Sequence, residues 1–241
     1  MPLRPKRFVR SLLLPALALV LPLAGSLGAA RAGDLKARVT GAEHLRPSAL
    51  ASATAADKKL YTLREFDPLV PAKYTTISAK ADKDITLAIY GAGDKSAFGL
   101  GQVIRLAGGR AVPSTVVIPP GVSVFFRNDD PFLHHVNGPD LSRDLRPGES
   151  HKLEPKGKLS VFTDSLIPSV KVFVVVDDGV IANRWPNPDG TLRIVDMADA
   201  EYTMKAYFEG VAKTANTFKV PTKGSVDLKE PIVVGAASGG K

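Results

Sequence analysis

The strongest constraint on this chain is a succession of short β-branched and aromatic runs, each closed by Gly, Pro, Asn or Asp. They are LKARVTG (35–41), DITLAIYG (84–91), STVVIPPG (114–121), VSVFFRN (122–128), VKVFVVVDD (170–178), TLRIVD (191–196), EYTMKAYFEG (201–210) and TFKVPTKGSVDLKEPIVV (217–234). Such side chains suit a pleated, half-buried surface, and the turn residues end each run before it can lengthen. Many short strands with regular turn chemistry predict an all-β protein built from sandwiches. Only ALASATAADKKLYTLREF (49–66) has a helix-like composition, and its irregular apolar spacing predicts a short helix or a surface crossing.

The chain has no cysteine, so neither disulfides nor thiolate chemistry is open to it. Its stability must come from buried apolar surface, which 44% hydrophobic residues in 241 can supply. At the N-terminus, Arg4, Lys6, Arg7 and Arg10 precede an apolar stretch from Leu12 to Leu23, followed by Ala30-Arg31-Ala32. That order predicts a secretory signal peptide cut after Ala32, the apolar stretch being too short to span a bilayer. The expected location is the periplasm or the cell exterior, without a transmembrane segment in the mature chain. The signal carries five basic residues and no acid, so the formal charge of +8 becomes +3 on export. A charge so small gives no reason to expect nucleic acid as a partner.

Two stretches suggest boundaries. GAGDKSAFGLG (91–101) is glycine-rich and polar, which predicts a flexible connection, and DDGVIANRWPNPDG (177–190) is dense in turn residues. Residues 101–177 are therefore expected to form one β unit and 178–241 another with a frayed tail. Residues 33–100 are expected to lend strands to the first unit or to form a small module of their own.

The middle unit carries a specific resemblance. RLAGGRAVPSTVVIPPGVSVFFRNDDPFLHHV followed by RPGESHKLEPKGKLSVFTDSLIPSVKVFVVV resembles a cupredoxin, the Greek-key sandwich of blue-copper proteins. The resemblance places the first copper ligand at His134 and the remaining three at Asp164, Ile167 and Val170, with Pro168 in its family place. Three of four ligands are thus replaced, and a blue-copper centre needs a thiolate that this chain lacks.

Adjacent residues on a strand point to opposite faces, so His134 and His135 are not expected to bind one metal together. Two readings follow. In one the site is degenerate and metal-free, with His134 facing inward and hydrogen-bonded to Asp164, and His135 outward. In the other a copper or zinc site is rebuilt from His134 and Asp164 with His151 or Asp130. His44 and His151 have no motif around them and are expected in solvent.

The last unit, NPDGTLRIVDMADAEYTMKAYFEG (187–210), resembles the carboxypeptidase-regulatory-like, transthyretin-like β-sandwich, a module that implies a spacer or binding surface. The pairing of the two units resembles exported methylamine-utilisation-like proteins. Catalytic motifs are missing from the sequence: there is no Gly-x-Ser-x-Gly elbow, no His-Glu-x-x-His pair and no phosphate-binding glycine loop. Asp129-Asp130 and Asp177-Asp178 are expected to splay apart and close turns. Trp185 is expected to anchor a satellite core or to present an exposed aromatic surface.

These features predict an exported, non-enzymatic binding or scaffolding protein of the cell envelope, with an envelope protein or a polysaccharide as partner and no cofactor. The alternative is a periplasmic copper- or zinc-binding protein or redox partner.

Overall fold

Strand alternation builds nearly everything in the computed structural model, which describes residues 33–46, 79–93 and 95–235. Strands are numbered along the chain. The middle of the chain forms a sandwich of two sheets. One sheet runs β5 (Thr115–Ile118), β11 (Lys171–Val176), β10 (Leu159–Asp164), β7 (His134–Gly138), β8 (Leu141–Leu145). The other runs β4 (Ala111–Val112), β3 (Gln102–Leu106), β6 (Val124–Asn128), β9 (Ser150–Leu153). Every second residue turns inward, so Ile104, Leu106, Phe126, Val136, Leu145, Phe162, Val172 and Val174 close the core. Phe126 and Phe162 meet edge-to-face across it, with ring centroids 5.0 Å apart.

A second sandwich is assembled from both ends of the described chain. β1 (Gly33–Thr40) lies between β13 (Thr191–Met197), antiparallel, and β16 (Ser225–Asp227), parallel, and also pairs in parallel with β17 (Ile232–Val233). Facing it is the sheet β12 (Val180–Arg184), β2 (Ile85–Gly91), β14 (Ala200–Phe208), β15 (Val211–Val220). Leu35, Val39, Leu87, Ile89, Met204 and Ile232 fill the space between. The fold class expected from the sequence, all-β sandwich, is the one observed.

The assignment of the N-terminal strands differs from expectation. β1 and β2 give no strand to the middle unit and form no module of their own; they pair with strands from beyond residue 179. The middle sandwich is therefore inserted between β2 and β12, which are neighbours in one sheet. The cause is that β2 has two apolar faces. Leu87 and Ile89 enter the second core, while Ala88, with Val180 and Tyr207, packs onto the middle core. Alternation reports that a strand is half buried, not which sheet receives it.

This joint is sealed at β5, an edge strand buried at all four positions. Its free carbonyls are capped from the other sandwich: Thr86 Oγ1 donates to Thr115 O at 2.5 Å and Asn183 Nδ2 to Val117 O at 2.8 Å. Trp185, half buried, donates from Nε1 to Thr86 Oγ1 at 3.1 Å, so it is an anchor of this joint. Nearby, Tyr90 donates to Asp177 Oδ2 and lies 2.9 Å from the Tyr207 hydroxyl. Burial first, then Tyr207 and Asp177, push its phenol far above its ordinary range.

The two expected boundaries are also more structured than their composition suggests. Residues 177–190 contain β12. Residues 95–101 contain a 3-10 turn, Ser96–Phe98, whose Phe98 is buried against the middle core, so this part of the connection is pinned. The short helix α1 (Ala81–Asp84) leads into β2, with the buried Asp84 carboxylate facing Arg46 and Arg110 and accepting from Lys80 N. The stretch 49–66 and the signal region lie outside the described residues. Among the described residues no helix is long and apolar enough to cross a membrane.

Candidate functional site: a histidine held between two carboxylates

β6 ends at Asn128, which is wholly buried. Its Nδ2 donates to Phe132 O at 2.8 Å and Leu145 O at 2.9 Å, while its Oδ1 accepts from Asp130 N at 2.8 Å. This is an Asx turn that folds residues 128–132 back over the end of the sandwich. It swings Asp129 outward and Asp130 inward, the splay expected of the pair.

Asp130 accepts hydrogen bonds from Gly108 N (2.6 Å) and Gly109 N (2.9 Å). Both glycines have left-handed φ, 63° and 66°. Successive amides in that conformation form a cup for an anion, and only glycine adopts it twice running without strain. Burial alone would raise the Asp130 carboxyl, but the Gly109 and Gly108 amides and His134 outweigh it and hold it below the usual carboxylate range.

His134 opens β7 with its side chain fully buried. Its Nδ1 lies 2.6 Å from Asp164 Oδ2 and its Nε2 lies 3.1 Å from Asp130 Oδ2. Asp164 ends β10, next to Val136 of β7 in register. Its other oxygen accepts from Leu166 N (2.7 Å), Ile167 N (2.9 Å) and, more weakly, His135 N (3.3 Å). The Phe132 ring packs on the imidazole at 5.2 Å between centroids. One side chain thus ties together the glycine turn at 108–109, the 128–132 turn, β7 and the loop after β10.

The alternation expected of the two histidines holds. His134 is inside, and the His135 side chain is one-third exposed. Of the four residues considered for a rebuilt metal site, His134, Asp164 and Asp130 converge, whereas His151 sits on β9 opposite Phe126 and makes none of these contacts. Of the other two positions singled out in the sequence, Ile167 is partly buried against the middle core and Val170 belongs to it.

The convergence is not a coordination sphere. The carboxylates approach opposite nitrogens of one ring, so an ion on Nδ1 would meet Asp164 alone and an ion on Nε2 would meet Asp130 alone, whereas a bound ion gathers its ligands about one point. Among the described residues no group of three or more His, Asp or Glu side chains is placed to hold a metal ion. With one imidazole, both nitrogens engaged and no thiolate, the residues present do not fit a blue-copper ion.

Sequence reasoning missed what surrounds His135. His135 Nδ1 lies 2.5 Å from Asp144 Oδ1, and Ser142 Oγ lies 3.5 Å from His135 Nε2. The β7–β8 register places Asp144 opposite His135 and Ser142 opposite Asn137, a relation the sequence would disclose only once the hairpin is known. The order Ser-His-Asp resembles a nucleophilic triad, yet the Ser142 hydroxyl donates to Asn137 Oδ1 at 2.8 Å. Its proton is therefore directed away from the base that would have to take it. The Asp144 hydrogen bond is the chief cause that raises His135 above its ordinary range.

The fold and this site define an all-β protein of two interlocked sandwiches with a buried Asp-His-Asp clamp. Solved structures of amicyanin are similar to part of it. A reduced amicyanin variant aligns at 12% identity and a TM-score of 0.30, over 37% of this chain and 99% of that one. Amicyanin from Paracoccus versutus aligns at 11% identity and a TM-score of 0.30, over 37% and 98%. No family model matches the chain, and no curated protein matches it.

Proposed function

We propose that this is an exported, non-enzymatic binding or scaffolding protein of the cell envelope, with a metal-free clamp where a cupredoxin carries copper. The observation that carries this reading is His134, fully buried with both ring nitrogens at carboxylates. A ligand histidine keeps one nitrogen for its metal and gives only the other to a supporting carboxylate. Here the second nitrogen is spent on Asp130, itself seated in two glycine amides. The group acts as a staple at the end of the sandwich.

The second sandwich, read as a transthyretin-like module, supplies a stiff support through the sealed joint at β5. Equilibrium dialysis of the purified mature protein against copper(II) and zinc(II) tests the reading. It expects no stoichiometric uptake that depends on His134. One equivalent of either metal bound by the wild type and lost in His134→Ala would favour the rebuilt metal site instead.

A further inference from the structure

Away from the clamp, the outer face of the β4-β3-β6-β9 sheet presents an array fixed by register. Val103 lies opposite Phe125 and Phe125 opposite Lys152; Arg105 lies opposite Arg127 and Arg127 opposite Ser150. All six side chains point outward, since Ile104, Phe126 and the other alternating positions fill the core. Like charges directly opposite on neighbouring strands repel. Here Asp129, swung out by the Asx turn, relieves that repulsion by engaging the Nε of both Arg105 and Arg127.

Among the described residues, nothing engages the outer nitrogens of either guanidinium. Asp129 is only 12% exposed, whereas Arg105 and Arg127 are 59% and 58% exposed. Among the described residues, Asp129 is the sole carboxylate in an ion pair with either arginine. Two planar forks thus share Asp129 through Nε and keep their terminal N–H groups without a partner among the described residues, an arrangement that can take a carboxylate or sulfate. Beside them Val103 is half exposed, and Lys152 Nζ stands 6.0 Å over the partly exposed Phe125 ring.

We infer that this face binds an acidic polysaccharide, with Arg105 and Arg127 grasping a carboxylate or sulfate and Phe125 and Val103 receiving the apolar face of a neighbouring sugar ring. Three cations oppose one carboxylate on the array, so its polarity suits an anion. The apolar row lies one strand repeat away, roughly 7 Å for two residues, which calls for a ligand larger than a free ion. Val103 and Phe125 lie within strands rather than on a projecting loop, so they suit an extended chain laid across the sheet better than insertion into a lipid surface. The inference uses neither His134 nor its metal status and stands or falls separately from them.

The test is calorimetric titration of the mature protein with a polyuronate oligosaccharide and its sulfated counterpart, beside inorganic sulfate and phosphatidylglycerol vesicles. Binding to the oligosaccharides is expected, weakened about tenfold by each of Arg105→Ala and Arg127→Ala, with melting temperatures of the variants showing that they remain folded. Asp129→Asn is the discriminating variant. If the carboxylate orients the two forks, removing its charge weakens binding even though the protein becomes more positive. Tighter binding by Asp129→Asn would reduce the face to non-specific charge attraction and overturn the inference, as would binding to vesicles or free sulfate without the oligosaccharides.

Discussion

At the residue scale the clamp is a buried charge network, and its worth lies in what its loss leaves behind. Asp130 has a depressed folded pKa, so its contribution is present above the usual carboxylate range and is lost as pH falls through the lower folded value. The acid-dependent loss in the wild type is therefore expected to set in as pH enters the usual carboxylate range and to be complete below it, and in Asp130→Asn this loss is expected to shrink; identical acid profiles would contradict it. His135 has the opposite sign. Its raised pKa means that any stability from the pair with Asp144 is present at low pH and fades as pH rises through the folded value. An NMR titration should find the His135 pKa above its ordinary value in wild type and nearer to it in Asp144→Asn. Much of this scale was legible in the sequence. Strand alternation alone separates His134 from His135, and Asp164 was reached through the cupredoxin resemblance of the sequence. Asp130 was named beside His134 only as a candidate metal ligand; its part as the second hydrogen-bond partner was not legible, because its seat is made by Gly108 and Gly109, more than twenty residues earlier, in a backbone conformation no side-chain pattern announces.

At the scale of elements, the strands are held to their places by close approaches that composition does not reveal. Gly138 ends β7 directly over Phe162, where an added Cβ would come within 2.1 Å of the ring. Phe162 is nearly fully buried and meets Phe126, so it has nowhere to retreat. Gly138→Ala is expected to cost about 2 kcal/mol through overpacking, measured by denaturant unfolding; a neutral substitution would show that this end of the sandwich yields more than its packing implies. Similarly, Asn183→Leu removes the donor to Val117 O and should cost about 1–2 kcal/mol, as a buried carbonyl loses its partner. The existence of β2, β5, β6, β11, β13 and β14 was legible as β-branched runs. The short strands β4, β8 and β12 were not, since their residues are polar or sit in turn-rich sequence and are strands only because a neighbour pairs with them; of β7, only the extended start at His134 and His135 was read.

The whole molecule is an insertion. β2 and β12 are neighbours in one sheet while the middle sandwich runs between them, and Ala88, Val180 and Tyr207 from that sheet belong to the middle core. A chain arranged in this way shares one hydrophobic joint, so calorimetry of the mature protein is expected to show a single cooperative transition rather than two. Two resolved transitions would mean that the β5 seal carries little energy. The sequence could not show this nesting, because the pattern in β1 and β2 fits either sandwich equally well and only the two-faced burial of β2 decides between them.

The central claim is that His134 is a structural staple and not a ligand, and thermal melting tests it most directly. Wild type and His134→Ala would be melted with chelator, with copper and with zinc. The account predicts that His134→Ala, which leaves two buried carboxylates without their shared partner, loses about 3 kcal/mol, and that neither metal moves the melting temperature of either protein. A ligand that binds only the folded state raises its stability with concentration. A rise in the wild type with copper or zinc, absent from His134→Ala, would contradict the account.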